Sequence, residues 1–417
     1  MSSDRDGLTD ATGETDESSR AIGRRAYIAA AGATGLAALA GCSGSGGGST
    51  DTDTGDGGSG GSSGGGTTTS GESMGDSGGT TTINIITWEE YAEMQENIES
   101  TLDGVELNIT PSTSSTEMFS QWNAGQAAQF DIAVPNNNLV PRFMDAGLVA
   151  PINRDAVTNF DSMYDKFQGF VDQQFTADGN AYGVPIRFGW YGYAYDTREV
   201  PEHEPSYDIM FEEDYVDVDL DGEIIMYDEA AKTMPATALY LGFEEALAGS
   251  EMTFTTDQID QMTQTLIDQK PRLQGYIAAD PTFIQEFQQG NFLVGHSGRN
   301  EVIQMRTEGA DWVEFVVPRE GAMAWYETAV VSAESDNQET AWQVVNEFIA
   351  PENGAALAQA GFSPSTNPAT AENLTEEQNE LYGSIDPARL DGMIPFKDIA
   401  SDVESEYVAA WEEVKSA

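Results

Sequence analysis

The chain has 417 residues, with 71 acidic against 18 basic side chains and a formal charge of -53, a surface that repels a nucleic-acid backbone and so excludes nucleic acid as a partner. A hydrophobic fraction of 39% with 10% aromatics is enough to build a core, which excludes disorder as the meaning of the acidity and leaves a halophilic protein whose self-repulsion is screened at roughly molar salt. The length is that of about two domains.

The first element is an export signal. Arg24 and Arg25 precede an uncharged stretch of mostly small residues from Ala26 to Ala40, which leads into Leu39-Ala40-Gly41-Cys42. The stretch is too short to stand as a transmembrane helix. Cys42 is the sole cysteine, so it has no disulfide partner and is either an idle thiol or a chemical handle. Residues 1–41 resemble a twin-arginine (Tat) lipoprotein signal ending in a lipobox, which implies cleavage before Cys42 and lipidation of its thiol. The competing account is a buried apolar helix with a stray cysteine. Glycine and serine follow at once, however, where a core would have to begin. Residues 42–82 then read as the lipidated cysteine and a tether of Gly, Ser, Thr and Asp, a random coil with a reach of about 35 Å. These features place the folded body on the extracellular face of the cell membrane, lipid-anchored. No later segment is long and apolar enough to span a bilayer.

From Ile83 the pattern alternates. Ile83–Trp88 predicts a strand, Tyr91–Leu102 a helix, Val105–Thr110 a strand, Ser115–Gln129 a helix with Met118, Phe119 and Trp122 on one side, and Phe130–Pro135 a strand. Strands alternating with helices predict βαβ units and a mostly parallel sheet covered on both faces. Further strands are predicted at Tyr182–Ile186, Gly192–Asp196, Glu223–Tyr227, Phe292–His296, Trp312–Val317 and Thr328–Ser332. Thr256–Lys270 reads as a helix capped by Thr255 or Thr256, with Ile259, Met262, Leu266 and Ile267 as its stripe. Asn337–Ile349 and Asp398–Val414 read likewise, the second burying Val403, Tyr407, Val408, Trp411 and Val414. The strands are too many for one lobe, and there is no internal repeat.

Signatures of catalysis are incomplete. No lysine follows a glycine, so there is no Walker A phosphate loop. His203-Glu204 opens an HExx run that ends in Tyr207 where a zinc ligand would be needed. Gly295-His296-Ser297-Gly298 approaches a nucleophile elbow, but Arg299 stands in place of the closing glycine. With two histidines in the chain, acid-base chemistry would fall to carboxylates such as Glu89, Glu90 and Glu327, which in a halophile are more often surface. Asp217, Asp219, Asp221, Gly222, Glu223 and Asp228 match most positions of an EF-hand loop, yet the flanks lack helical stripes. A solvated acidic hairpin is the preferred reading, and neither metal nor cofactor is expected.

Ile83-Asn84-Ile85-Ile86-Thr87-Trp88-Glu89-Glu90-Tyr91 resembles the opening of the spermidine/putrescine-binding proteins of ABC importers, in which an apolar strand is followed by Asn-Trp-x-x-Tyr. Phe130–Pro135, Tyr182–Pro185, Gly222–Glu229, Asn291–Gly298 and Ala324–Thr328 continue the similarity in order. The resemblance, to a haloarchaeal type of that family, implies an α/β, two-lobed type II periplasmic-binding-protein fold: two doubly wound mixed sheets joined by two hinge crossings. It places residues 83–190 and 327–375 in one lobe and 191–326 and 376–417 in the other, with crossings near Phe188 and Trp325. It implies a monomeric, non-enzymatic receptor that binds a small-molecule solute and delivers it to a permease and its ATPase.

Ligands of open α/β sheets bind beyond the carboxyl ends of the strands, where Trp88–Tyr91 and Pro135–Asn138 fall. By resemblance, Trp88 and Trp325 are sandwiching aromatics, Glu229 and Glu327 amine-binding acids, and Asn136 a polar group at the cleft rim. Glu89, Glu90, Tyr91 and Asn137 complete the candidate ligand-binding set from this lobe. Two residues depart from the family pattern, and two arginines lie near them. Lys232 stands where the family has a second acid, His296 where it has a tryptophan, and Arg299 follows close behind, with Arg187 beside the crossover strand. Each has a local explanation: a snorkelling lysine, a satisfied imidazole, a surface pair with Glu301. Together they leave three readings open: a receptor for a polyamine or related organic cation, the same receptor for a zwitterionic, sugar or anionic solute, and a surface-anchored, carboxylate-based glycan enzyme.

Overall fold

Strand β1 (Thr81–Thr87) forms because Ile83, Ile85 and Ile86 are all fully buried in a run with no helix former to compete. It pairs in parallel with β2 (Val105–Pro111) and with β3 (Ile132–Ala133). The structure is a computed structural model that describes residues 79–383 and 390–417. The readings of an export signal, of Cys42 and of most of the tether lie outside the described residues.

The two helices predicted in this region are broken. Tyr91–Leu102 becomes a 3-10 turn, Glu89–Met94, followed by an α-helix, Gln95–Thr101. Ser115–Gln129 is α-helical only to Gln121. Gly125, at φ 89°, then takes a conformation open to glycine and ends the regular winding. The strand predicted over Phe130–Pro135 shortens to two residues, although the Val134 amide still donates to Ile86 at 3.1 Å; Pro135 has no amide to continue the ladder.

After a small hairpin of β4 (Thr176–Ala177) and β5 (Asn180–Ala181) comes β6 (Val184–Asp196), buried along its whole length. The two strands predicted there are one, because the intervening residues 187–191 are themselves buried and, Arg187 apart, carry no charge to break the run. β7 (Ile224–Tyr227), β8 (Leu273–Ile277), β9 (Val294–Gly298) and β10 (Val313–Val316) follow, then β11 (Ala322–Val331) and β12 (Met393–Pro395). The sequence reading did not contain β8 or β12 and began β11 six residues late.

The sheet runs β2-β1-β3-β11-β6-β9-β7-β8, with β10 on β6 and β12 on β11. Pairing is parallel within each flank and antiparallel where β6 meets β11, β9 and β10 and where β3 meets β11. The sheet is therefore mixed, and β6 and β11 carry it from one half of the fold to the other. One half packs Ile85, Trp122, Phe143, Phe188 and Trp342; the other packs Tyr193, Ile224, Met234, Leu266 and Tyr407.

Helix Thr256–Gln269 has the predicted cap, a reciprocal box between Thr255 and Gln258, and Gln338–Phe348 lies where expected. The last helix, Glu404–Ser416, buries Tyr407, Ala410, Trp411 and Val414, while Val408 is exposed. One residue beyond Tyr407 is about 100° around the helix, which takes Val408 off the buried stripe. The acidic segment Asp217–Asp228 is not a hairpin. It turns at Gly222 (φ 77°) straight into β7, whose neighbours are the parallel β8 and β9. Among the described residues no group of three or more His, Cys, Asp or Glu side chains could hold a metal, and no helix is long and apolar enough to cross a membrane.

Candidate functional site

A cavity of about 490 Å³ opens where the parallel strands of both halves end. Beyond β1 come Trp88 and Glu90, beyond β2 Ser114 and Ser115, and beyond β3 Asn136 and Asn138. From the opposite half come Glu229 and Lys232 after β7, Asp280 after β8 and Asn300 after β9, while β6 contributes Arg187 and Tyr191, β11 Trp325 and Glu327, and the segment after β12 Phe396. Loops at the carboxyl ends of such strands are where backbone ladders stop and side chains converge.

At the centre of the first half Arg187 meets Glu327. Its Nε and one terminal nitrogen donate to the two carboxylate oxygens at 2.7 Å each, and that same nitrogen reaches Glu90 at 3.2 Å. The Tyr91 hydroxyl donates to Glu327 at 2.8 Å. The side chains of Arg187 and Glu327 are only 5% and 4% exposed. Burial raises the Glu327 carboxyl, and Arg187 opposes that shift; the bidentate geometry holds the pair ionised. Burial likewise works against the arginine's charge, but Glu327 and Glu90 outweigh it and push Arg187 up. The guanidinium passes so close to Gly361 that a Cβ there would lie 1.6 Å from it, so only glycine fits.

Across the cavity the Lys232 ammonium lies 3.1 Å from Glu229 and 3.9 Å from Asp280. It sits 4.1 Å from the Tyr227 ring centroid and 5.0 Å from that of Tyr191. Burial disfavours its charge, yet Tyr191, Asp280 and Glu229 more than offset this and raise it above an ordinary lysine. Tyr191, Tyr227 and Trp325 cluster with Phe396 as an apolar wall. The Trp325 indole fits because Gly189 has no side chain: a Cβ there would come within 2.6 Å of the ring. Beneath the wall Tyr227 donates to Asp280 at 2.9 Å, and burial, then Asp280, raise the Glu301 carboxyl well above the usual range.

The cavity thus has four carboxylates, two basic groups and aromatic walls, with no nucleophile and base in a catalytic pairing. The model of the family described as bacterial extracellular solute-binding protein matches residues 90–381, well over half of the chain. The chain belongs to this family. A putrescine-binding periplasmic protein of Escherichia coli (strain K12) is 22% identical over 350 residues, 80% of this chain and 91% of the relative. One of Pseudomonas aeruginosa (strain UCBPP-PA14) is 21% identical over 300 residues, 69% and 79% of the two chains. Among solved structures, the spermidine/putrescine ABC transporter substrate-binding protein of Streptococcus pneumoniae matches with a TM-score of 0.69 at 20% identity, over 81% of this chain and 99% of that one. Its likeness establishes the two-lobed fold. Proteins of this family are extracellular or periplasmic receptors that bind small-molecule solutes and engage ABC permeases; they are not enzymes.

In this solute-binding protein the candidate residues divide. Trp88, Glu90, Asn136, Glu229, Lys232, Trp325 and Glu327 line the one cavity. Trp88 is anchored by its indole N–H, which donates to Val134 at 2.9 Å. Glu89 is exposed and lies off the lining. Tyr91 stands behind Glu327, and Asn137 is fully buried, donating to the Phe396 carbonyl at 2.7 Å. His296 lies beneath Tyr191 and Tyr227, with ring centroids at 5.9 and 5.5 Å, and burial, with Lys232 nearby, lowers its pKa to about 3.

Arg299 lines a second cavity, of about 570 Å³, with Trp190, Arg306 and Phe315. Its guanidinium donates to the Leu381 carbonyl, and the surface pair with Glu301 read from the sequence is corrected, because Glu301 is buried beside Tyr227. The sequence reading missed Tyr191, Tyr227, Asp280, Asn300 and Phe396. A period-two signal was present for one of them, since Arg187, Gly189 and Tyr191 alternate along β6 onto the face that meets Trp325 and Glu327.

Proposed function

We propose that this protein is the extracellular receptor of an ABC importer for a small organic cation of the polyamine class. The observation that carries the reading is the charge of the cleft: Glu90, Glu229, Asp280 and Glu327 against Arg187 and Lys232, two negative charges in excess, walled by Trp88, Trp325, Tyr191 and Phe396. Carboxylates take the ammonium ends of such a solute and aromatic faces take its methylenes and charge, each aromatic contact contributing about 0.5–2 kcal/mol. The relatives named for putrescine binding support the same class. An anion is disfavoured, because Arg187 spends two of its nitrogens on Glu327 and Lys232 is held by Glu229.

In this reading the lobes are residues 83–190 with 327–375 and 191–326 with 376–417, and they close on the solute about β6 and β11. Cys42, lipidated after cleavage of residues 1–41, anchors the monomeric receptor to the membrane beside its permease. Calorimetric titration of putrescine and spermidine into the purified protein in molar KCl tests the proposal. Micromolar binding of either amine supports it; no heat from either, with the protein folded by circular dichroism, refutes it.

A further inference from the structure

The Lys232 ammonium has the surroundings of a bound amine: two carboxylates within 4 Å and two tyrosine rings within about 5 Å of it. Its side chain is 16% exposed and faces the cavity, whereas those of Glu229 and Asp280 are 51% and 40% exposed and keep lone pairs for a solute. We infer that Lys232 is a built-in ammonium that fills one cation position of the cleft and so sets the charge of the solute the receptor selects. The inference rests on the organic-cation reading above.

The reasoning is one of charge matching. With Lys232 in place the lining carries two excess negative charges, the complement of a diamine. A third ammonium arriving at the same end would meet a like charge in a half-buried site, where salt screens poorly. Removing the lysine leaves three excess negative charges and a vacated box of two acids and two rings, the complement of a triamine. Arg187 does not play this part, since its bidentate bond to Glu327 and its near-complete burial make it a fixed element of the wall.

The test measures affinities of putrescine and spermidine in molar KCl for the wild type, Lys232→Met and Lys232→Arg. In the wild type, spermidine is expected to bind no tighter than putrescine. In Lys232→Met the ratio of spermidine to putrescine affinity should rise at least about 10-fold, and Lys232→Arg, which restores the charge, should keep the wild-type ratio. A ratio in Lys232→Met within two-fold of wild type, with both amines still bound, overturns the inference and leaves the cation receptor standing. So does a wild type that prefers spermidine 10-fold or more, a readout that needs no variant to fold. Failure of every protein to bind either amine overturns the inference and the parent reading together.

Discussion

Arg187 and Glu327 face each other as register partners on the two strands that cross between the halves, joined through both carboxylate oxygens at 2.7 Å. The pair ties β6 to β11 at the point where the ladder shifts register, between Glu327 and Thr328. Glu327 is therefore first a partner of the protein's own cation and only then a surface for a solute.

Glu327→Gln strands the Arg187 charge in a site where it is almost fully buried. Breaking one side of such a pair costs about 3–5 kcal/mol. The double variant Arg187→Met with Glu327→Met, which removes both charges, is expected to cost less than either single change. Chemical denaturation of the wild type, Arg187→Met, Glu327→Met and the double variant in molar KCl decides this. A double variant at least as unstable as the sum of the singles would show that the pair is not coupled.

Trp88 tests the aromatic part of the site with little risk to the fold, because it is only partly buried and lines the cavity. Trp88→Ala is expected to weaken amine binding about 3- to 30-fold, the range of one cation–π contact. Titration calorimetry reads the change, and an unaltered affinity would remove Trp88 from the solute's surroundings.

The excess of 53 negative charges predicts a fold that depends on salt. Raising KCl from 0.1 to 2 M shortens the screening length from about 10 Å to below about 3 Å, and the unfolding midpoint should rise by at least about 5 °C, a few kcal/mol for a domain of this size. Sucrose at matched osmolality should reproduce little of the rise. Equal stabilisation by sucrose would assign the effect to solvent exclusion and count against a halophilic adaptation.

Part of this site was legible because parallel strands end where ligands bind, so finding β1 pointed to Trp88 and Glu90, whereas Glu229 came from the family resemblance. Arg187, Trp325 and Glu327 were noticed singly, but their juxtaposition was not readable: 140 residues separate the bidentate partners, and nothing local encodes it. Asp280 was hidden because β8 is an edge strand with mostly half-exposed residues, too weak in pattern to mark its own carboxyl end. Arg299 was drawn toward the cleft by its nearness to His296 in sequence; a helix begins at that residue and carries it to the other cavity. The helix breaks at Met94 and Gly125 came from glycine and from packing, which periodicity does not see.

His296 gives the clearest dependence on acid. Its ring is buried beneath Tyr191 and Tyr227, and burial, then the Lys232 charge, lowers its pKa from 6.5 to about 3. In the unfolded chain the imidazole takes up a proton near pH 6.5, while the folded protein refuses it until about pH 3. The unfolded state therefore binds more protons between these values, and stability falls as pH falls. From pH 7.5 to 5 the loss due to this residue alone is about 2 kcal/mol. His296→Phe keeps a ring among the tyrosines and removes the titration, so its stability should decline by about 2 kcal/mol less than that of the wild type over the same range. Denaturant unfolding at several pH values in constant molar KCl compares the two slopes. Parallel curves would mean that the folded protein protonates His296 as readily as the unfolded chain does, and would remove this imidazole as a source of acid sensitivity.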